Sequence, residues 1–489
     1  MILAGSAVAG SAVTCAASTR ARFGSAGRDA VRIRATARLL PLVLLLHGCA
    51  LSTVNQPLGR WTPSVDQPWL EAAAQDRSPD LAVILAFSGG GTRAAALSYG
   101  VLQELAATDV MIDGRKRRLL DEVDVVSGVS GGSFPAAYYG LHGDRIFEDF
   151  EPLFLRKDGE GALIARLFWP PNWVRLASQT FGRSDLAARY YDSELFHGAT
   201  FRDLARPGAP IVVLNATDLA TGSRFGFTQQ YFDLLCSDLA SYPVSHACAA
   251  SSAVPFVLSP ITLKSYDPAC GYEAPDWLEA ALQDSDDPRR RVEALNLRSY
   301  LNPERRRYAH LVDGGIADNL GLRAVIDTVT VHGDPERAFQ LIGHPHPRAI
   351  VFILVNAATR PQAQFDLAAA TPTLAELLNE VTSAQLENYD FDTIELLRSA
   401  LGGWSKALSE PGRPVEFAFV DVSFDAVADE HERHFLNEIG TSFSLDDDQV
   451  DHLIATGRSV LRSSSDFRKA VRILSSPTDT AGTTARSNP

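Results

Sequence analysis

Hydrophobic and polar positions alternate along the chain in two recurring modes. Short continuous apolar runs of strand length give way, through glycine-rich turns, to longer stretches with helical spacing. The runs at 81–87, 123–127, 210–215, 350–356 and 415–422 read as strands buried on both faces. The helical stretches between them predict an α/β domain of three layers, helices on both sides of a mainly parallel sheet. A continuous helix is predicted from Asp447 to Leu474. The segment from Leu163 to Leu176 holds Phe168, Trp169, Trp173 and two prolines. A connector packed on the core fits it better than a lid or a membrane-facing surface.

Three of the turns carry candidate chemistry. The run that starts at Val123 leads into Gly128-Val129-Ser130-Gly131-Gly132, followed by the helix-prone Pro135-Ala136-Ala137-Tyr138. Strand, Gly-x-Ser-x-Gly and helix together form a turn that lifts one hydroxyl clear of a sheet edge, under a helix N-terminus that favours negative charge. Ser130 is the candidate nucleophile. The pentapeptide alone fits a serine-capped glycine turn equally well. A second strand, 81–87, enters Ser88-Gly89-Gly90-Gly91-Thr92-Arg93 and then a helix. This loop lacks the Gly-Lys-Ser/Thr ending of a nucleotide-binding turn. In the third stretch, Tyr308 to Gly321, an apolar segment delivers Asp313 into Gly314-Gly315. Alone, Asp313 would read as a turn aspartate capping its own backbone.

Together, in this order, the three stretches resemble the patatin-like phospholipases. The segments Asn215–Gly222 and Ala249–Pro255 are also similar to that family, so the resemblance runs from about 80 to 325. It implies a patatin-like fold and a Ser130–Asp313 dyad without histidine. It also implies an oxyanion hole from Gly89, Gly90 and Gly91, with Gly90 and Gly91 foremost. Arg93, Gly128, Gly132, Gly314 and Gly315 would then shape the supporting turns, Arg93 by bracing its loop. The implied activity is hydrolysis of fatty-acyl esters of phospholipids or related lipids, of phospholipase A or lysophospholipase type, with no cofactor and no metal. Three alternatives stay open: a Ser-Asp-His triad, an esterase or thioesterase acting on soluble acyl substrates, and a non-catalytic envelope protein that uses the fold for binding. For the triad, His332, His344, His346, His431, His434 and His452 are available, none in a distinctive motif. His310 falls on the face opposite Asp313 if its segment is extended.

The 489 residues are 46% hydrophobic and 21% charged, ordinary for a globular enzyme. The net charge of −14 argues against nucleic acid as a partner and against a general electrostatic grip on anionic membrane. Residues 1–48 differ, with six arginines against Asp29, net +5, so the remainder carries −19. Within them a basic stretch precedes an apolar run from Leu39 to Leu46, too short to span a bilayer as a helix, and ends in Leu46-His47-Gly48-Cys49. This layout resembles a bacterial lipobox, with Cys49 as the lipidated first residue of an exported, membrane-anchored protein. A plain signal peptide is the competing reading. The Ala/Ser/Gly-rich stretch 1–30 lies outside any signal pattern, and translation is expected to start near Val31.

The expected organisation is a leader to 48, a tether over 49–78, a hydrolase domain over 79–475 with additional structure after about 325, and a disordered tail over 476–489. Export permits a disulfide. Cys236 and Cys270 sit in loop-like surroundings and are expected to pair, whereas Cys248 reads as a buried helix residue. No Cys/His spacing suggests zinc.

Overall fold

The computed structural model describes residues 53–62, 77–178, 181–360, 371 and 373–476. The leader, Cys49, most of the tether and all but the first residue of the tail lie outside them.

The core elements follow in chain order. Strand β1 (Leu81–Phe87) leads into α1 (Gly91–Ala107), and β2 (Val125–Val129) into α2 (Ser133–His142). Three helices come next: α3 (Gly159–Phe168), α4 (Pro170–Leu176) and α5 (Arg183–Tyr191). Strands β3 (Ile211–Asp218) and β4 (Arg224–Gly226) precede α6 (Val244–Ser251). Then come β5 (Ile261–Lys264), β6 (Tyr308–Val312), α7 (Arg323–His332) and β7 (Ala349–Asn356). The last are α8 (Leu374–Leu408), β8 (Glu416–Ser423), α9 (Asp447–Ser463) and α10 (Ser465–Leu474).

The central sheet has the order β8-β7-β1-β2-β3-β6-β5, with β4 paired to β3. From β8 to β3 neighbouring strands run parallel, while β6, β5 and β4 are antiparallel additions. Alternation along β1 sets the layers. Leu81, Val83, Leu85 and Phe87 pack on one face with residues of α1, α2, α9 and α10. Ala82, Ile84 and Ala86 pack on the other with α7 and α8. Both faces are covered, which is why the strands read as unbroken apolar runs. β7 and β8, both beyond residue 325, are integral to this sheet, as the parallel register of Ala349–Val355 on Leu81–Phe87 shows.

Three local expectations are corrected. The second strand begins at Val125, because Asp124 turns its buried carboxylate onto the Val83 N–H (2.8 Å) and His344 (3.0 Å). The helix expected from 447 to 474 breaks at Ser464, whose extended backbone and hydroxyl, accepting from Phe467 N–H (3.2 Å), cap α10. Residues 163–176 are not a connector buried on the core: Phe168, Trp169, Trp173 and Val174 are all exposed.

Part of the segment read as a tether is tied down. Gln56–Pro57 pairs antiparallel with Ser237–Asp238, and the buried Asn55 amide donates to the Lys264 carbonyl (2.8 Å). Beside it, Cys236 and Cys270 form a disulfide. Cys248 is a buried free thiol. Among the described residues no helix is long and apolar enough to cross a membrane.

Candidate active site

The parallel register brings the carboxyl ends of β1 and β2 side by side, with Phe87 opposite Gly128. Ligands of such sheets bind at these ends. The turn after β2 places Ser130 at φ +48°, a left-handed conformation uncommon for a side chain of this kind and concentrated at functional sites. Its N–H donates to the Ser251 hydroxyl (2.9 Å), which itself donates to the Asn215 carbonyl. The elbow is thus pinned by α6 and β3. The turn after β1 approaches it closely: a Cβ on Gly131 would overlap the Gly91 carbonyl. Gly128, Gly131 and Gly132 each have backbone where a side chain would go.

Asp313 arrives from β6, the antiparallel neighbour of β3. Its N–H donates to the Ala253 carbonyl (3.0 Å), and its own carbonyl accepts from the Thr217 hydroxyl (2.8 Å). One carboxylate oxygen accepts from Gly315 N–H (2.8 Å), and the other accepts from Ser130 Oγ (2.9 Å). Both side chains are buried. Burial pushes the Asp313 carboxyl up to about 6, against the opposing pull of the Gly315 and Ser130 hydrogen bonds. At neutral pH it is mostly ionised, yet far more basic than an exposed aspartate. A proton acceptor in contact with a serine hydroxyl is what nucleophilic attack requires. Among the described residues no histidine is hydrogen bonded to Ser130 or Asp313. His310 points to the opposite side and pairs with Thr262 (3.0 Å).

Gly90 and Gly91 have φ of +134° and +61°, which only glycine adopts without strain. Gly89 N–H is taken by the Asn319 carbonyl (2.9 Å), and Thr92 N–H by the Ser442 carbonyl (2.8 Å). Between these anchors the turn offers the N–H groups of Gly90 and Gly91. The buried Arg93 guanidinium lies beneath them. It donates to the carbonyls of Ala357 (2.9 Å) and Ile439 and to Thr441 Oγ1 (3.3 Å), so it ties the turn to β7 and to the loop before α9. Burial lowers its pKa to about 10.

Asp318 and Asn319, whose sequence context assigns them to fixing the turn after Asp313 rather than to the chemistry, both support the turns. Asn319, whose carbonyl holds Gly89, donates its amide to Asp390 on α8 (2.7 Å). Asp390 is buried and pushed up to about 7 by desolvation. Asp318 caps the next turn, accepting from Gly321 N–H (3.0 Å) and Arg323 N–H (2.8 Å). Asp390 and Ser442 carry no local signature, since each acts across the fold, whereas Ser251 falls in the segment Ala249–Pro255 that carries part of the resemblance. An apolar cavity lined by Val125, Ile211, Val213, Phe339 and Ile342 lies at the amino ends of β2 and β3, away from Ser130. Among the described residues no cluster of His, Cys, Asp and Glu could hold a metal.

Residues 85–326 match the family model described as patatin-like phospholipase. That stretch includes Ser130, Asp313 and the glycine turn. Comparison with curated proteins gives no match. Among solved structures, human GIVD cytosolic phospholipase A2 is similar with a TM-score of 0.42 and 12% identity, over 87% of this chain and 68% of that one. The same human enzyme in complex with methyl gamma-linolenyl fluorophosphonate gives 0.40 and 12%, over 87% and 67%. The fold is the patatin-like α/β fold, a mostly parallel mixed sheet of eight strands flanked by helices, and the family match supports a lipid acyl hydrolase.

Proposed function

We propose that this protein hydrolyses fatty-acyl esters of phospholipids or related lipids through Ser130 and Asp313. The observation that carries the reading is the 2.9 Å hydrogen bond from Ser130 Oγ to Asp313, formed where two strand-end turns meet beside the Gly89–Gly91 turn, whose Gly91 carbonyl lies against Gly131. Ser130 Oγ attacks the ester carbonyl as Asp313 takes its proton. The tetrahedral oxyanion accepts hydrogen bonds from Gly90 and Gly91, each such donor lowering the barrier by ~3 kcal/mol. Collapse breaks the ester C–O bond, and the leaving lysolipid or alcohol takes the proton from Asp313. Water, deprotonated by the same carboxylate, then attacks the acyl-serine; the acyl C–Oγ bond breaks, Ser130 Oγ takes the proton back from Asp313, and the fatty acid is freed. Gly89 serves this step by holding its neighbours, its own N–H being taken by Asn319.

The lipobox-like Leu46–Cys49 supports export with a lipid anchor on Cys49, which would hold the enzyme at a bacterial envelope membrane. A fluorophosphonate probe tests the nucleophile: the parent protein becomes labelled at Ser130, and Ser130→Ala does not. An unlabelled parent would favour the non-catalytic binding reading.

A further inference from the structure

We infer that the cleft between β4, α7 and the Tyr272–Trp277 segment is a second binding site, for a quaternary ammonium ion that carries an apolar group. Its cavity has a volume of about 560 Å³, within the ~300–1,000 Å³ of small-molecule sites. Ser130, Asp313 and the Gly89–Gly91 turn take no part in lining it, so the site is independent of the chemistry there. Its walls are aromatic: Trp61, Tyr231, Tyr272 and Trp277 all line it. Tyr272 stands edge-on to Trp61, ring centroids 5.0 Å apart, and Trp277 edge-on to the buried His332 at 4.6 Å. Trp61 is fixed at both ends, its backbone N–H donating to the Cys270 carbonyl (3.0 Å) and its indole to Asp233 (3.2 Å). Trp61, Tyr272 and Trp277 are only half-buried, so part of each ring stays open.

The lining charges are unequal. Asp233, Glu273, Asp276, Glu293 and Asp327 face only Arg224 and Arg337. Glu273, Asp276 and Arg337 are exposed. The buried Arg224 is already committed, pairing with Asp327 Oδ2 (3.2 Å) and donating to the Asn215 side chain (3.1 Å). Asp327 has only 9% of its side chain exposed, and its Oδ1 is buried with no hydrogen-bond partner among the described residues. Burial and the Asp327 charge push the Glu293 carboxyl up to about 7, against the pull of Arg224 and Arg323. Buried negative charge that the protein leaves partly unpaired favours a cation in the cleft.

The combination of ring faces and carboxylates identifies the kind of cation. Aromatic faces attract a cation through their quadrupole, and an alkylated ammonium meets them without shedding a tight hydration shell. A metal ion would need converging oxygen or nitrogen ligands, and among the described residues no group of His, Cys, Asp and Glu supplies them. The apolar cavity at the amino ends of β2 and β3 shares Arg224, Tyr231, Thr328 and Leu341 with this one. The cleft therefore continues past the Arg224–Tyr231 pair, 5.6 Å from guanidinium to ring centroid, onto Val213 and Phe339. An apolar substituent on the same ligand has its place there.

The test is calorimetric titration of the full chain with hexyltrimethylammonium, which is expected to bind one to one. Choline and glycerophosphocholine distinguish a free amine from a lipid headgroup as the source, and tighter binding of either supports the site. Choline should bind about tenfold more tightly than its neutral tert-butyl analogue. Trp61→Ala and Trp277→Ala should each weaken hexyltrimethylammonium on the order of fivefold. Glu273→Gln with Asp276→Asn, both exposed, should weaken it about threefold at low salt, and this pair carries the test if the tryptophan variants misfold. Prior labelling of Ser130 by the fluorophosphonate probe should leave the affinity within about twofold. Absence of binding, equal affinity for the neutral analogue, unchanged affinity in all these variants, or loss of binding on labelling would overturn the inference. A parent that binds the ammonium ion but resists the fluorophosphonate would instead count against the hydrolase reading and leave this site standing.

Discussion

Arg93→Met separates the shape of the glycine turn from the stability of the fold. The guanidinium is buried and, among the described residues, forms no ion pair. It donates to two carbonyls and a hydroxyl. Its pKa falls from the ordinary 12.5 to about 10, a displacement that corresponds to about 3 kcal/mol of desolvation opposing the fold. Each charge-assisted bond to a carbonyl contributes about 1.5–3 kcal/mol, so losing two removes about 3–6. Methionine fills the channel and relieves the desolvation, which leaves a net destabilisation of about 2 kcal/mol. The rate should respond far more. Without the tie to Ala357 and Ile439, Gly90 and Gly91 lose their fixed position, and misplacing even one oxyanion donor costs on the order of a hundredfold in kcat. Urea denaturation paired with kinetics on a short-chain nitrophenyl ester reads both quantities on one sample. A variant destabilised as computed but turning over within about threefold of the parent would refute the claim that Arg93 positions the turn.

Three other predictions concern Asp313 and the disulfide. Since burial raises the Asp313 carboxyl to about 6, kcat/KM should rise tenfold per pH unit below about 6 and level off above it. The linkage to stability has the opposite sign. A raised carboxyl pKa favours the fold below about pH 4, and that advantage is lost as pH climbs through about 6. Asp313→Asn should therefore be more stable than the parent at pH 7, by about 1–3 kcal/mol, and no more stable at pH 4, as chemical denaturation at the two pH values would measure. Replacing Cys236 and Cys270 by serine opens a loop of sequence separation 34, and should cost at most about 4 kcal/mol of stability with turnover at 25 °C retained. Thermal denaturation and ester kinetics of the double variant check both halves.

What was legible in the sequence was local. Each of the three turns is a strand, a glycine run and a helix within about fifteen residues, so pattern and turn chemistry agree without tertiary information. The five strand candidates are all in the sheet, displaced at their ends by side chains such as Asp124 that bind a neighbouring strand. Less legible were contacts that close over long separations. Arg93 reaches Ile439 across 346 positions, and Asn319 reaches Asp390 across 71. Nothing near Asp390 marks it as buried, because its burial is a property of how α8 docks on the Asn319 turn. The exposure of Trp169 and Trp173 was missed for a similar reason: an aromatic, proline-broken segment fits a core connector as well as a surface hairpin until its packing partners are known. The break at Ser464 was different. Three serines and an aspartate before Phe467 form a readable cap inside an otherwise helical pattern.

The central claim is that Ser130 and Asp313 act together on a lipid ester. Its most direct test is fatty-acid release from phospholipid vesicles by the purified parent, with Ser130→Ala and Asp313→Asn run alongside. The account predicts release by the parent and none above background from either variant. An Asp313→Asn enzyme that keeps most of the activity while Ser130→Ala is inert would contradict it, and would assign the proton to another base.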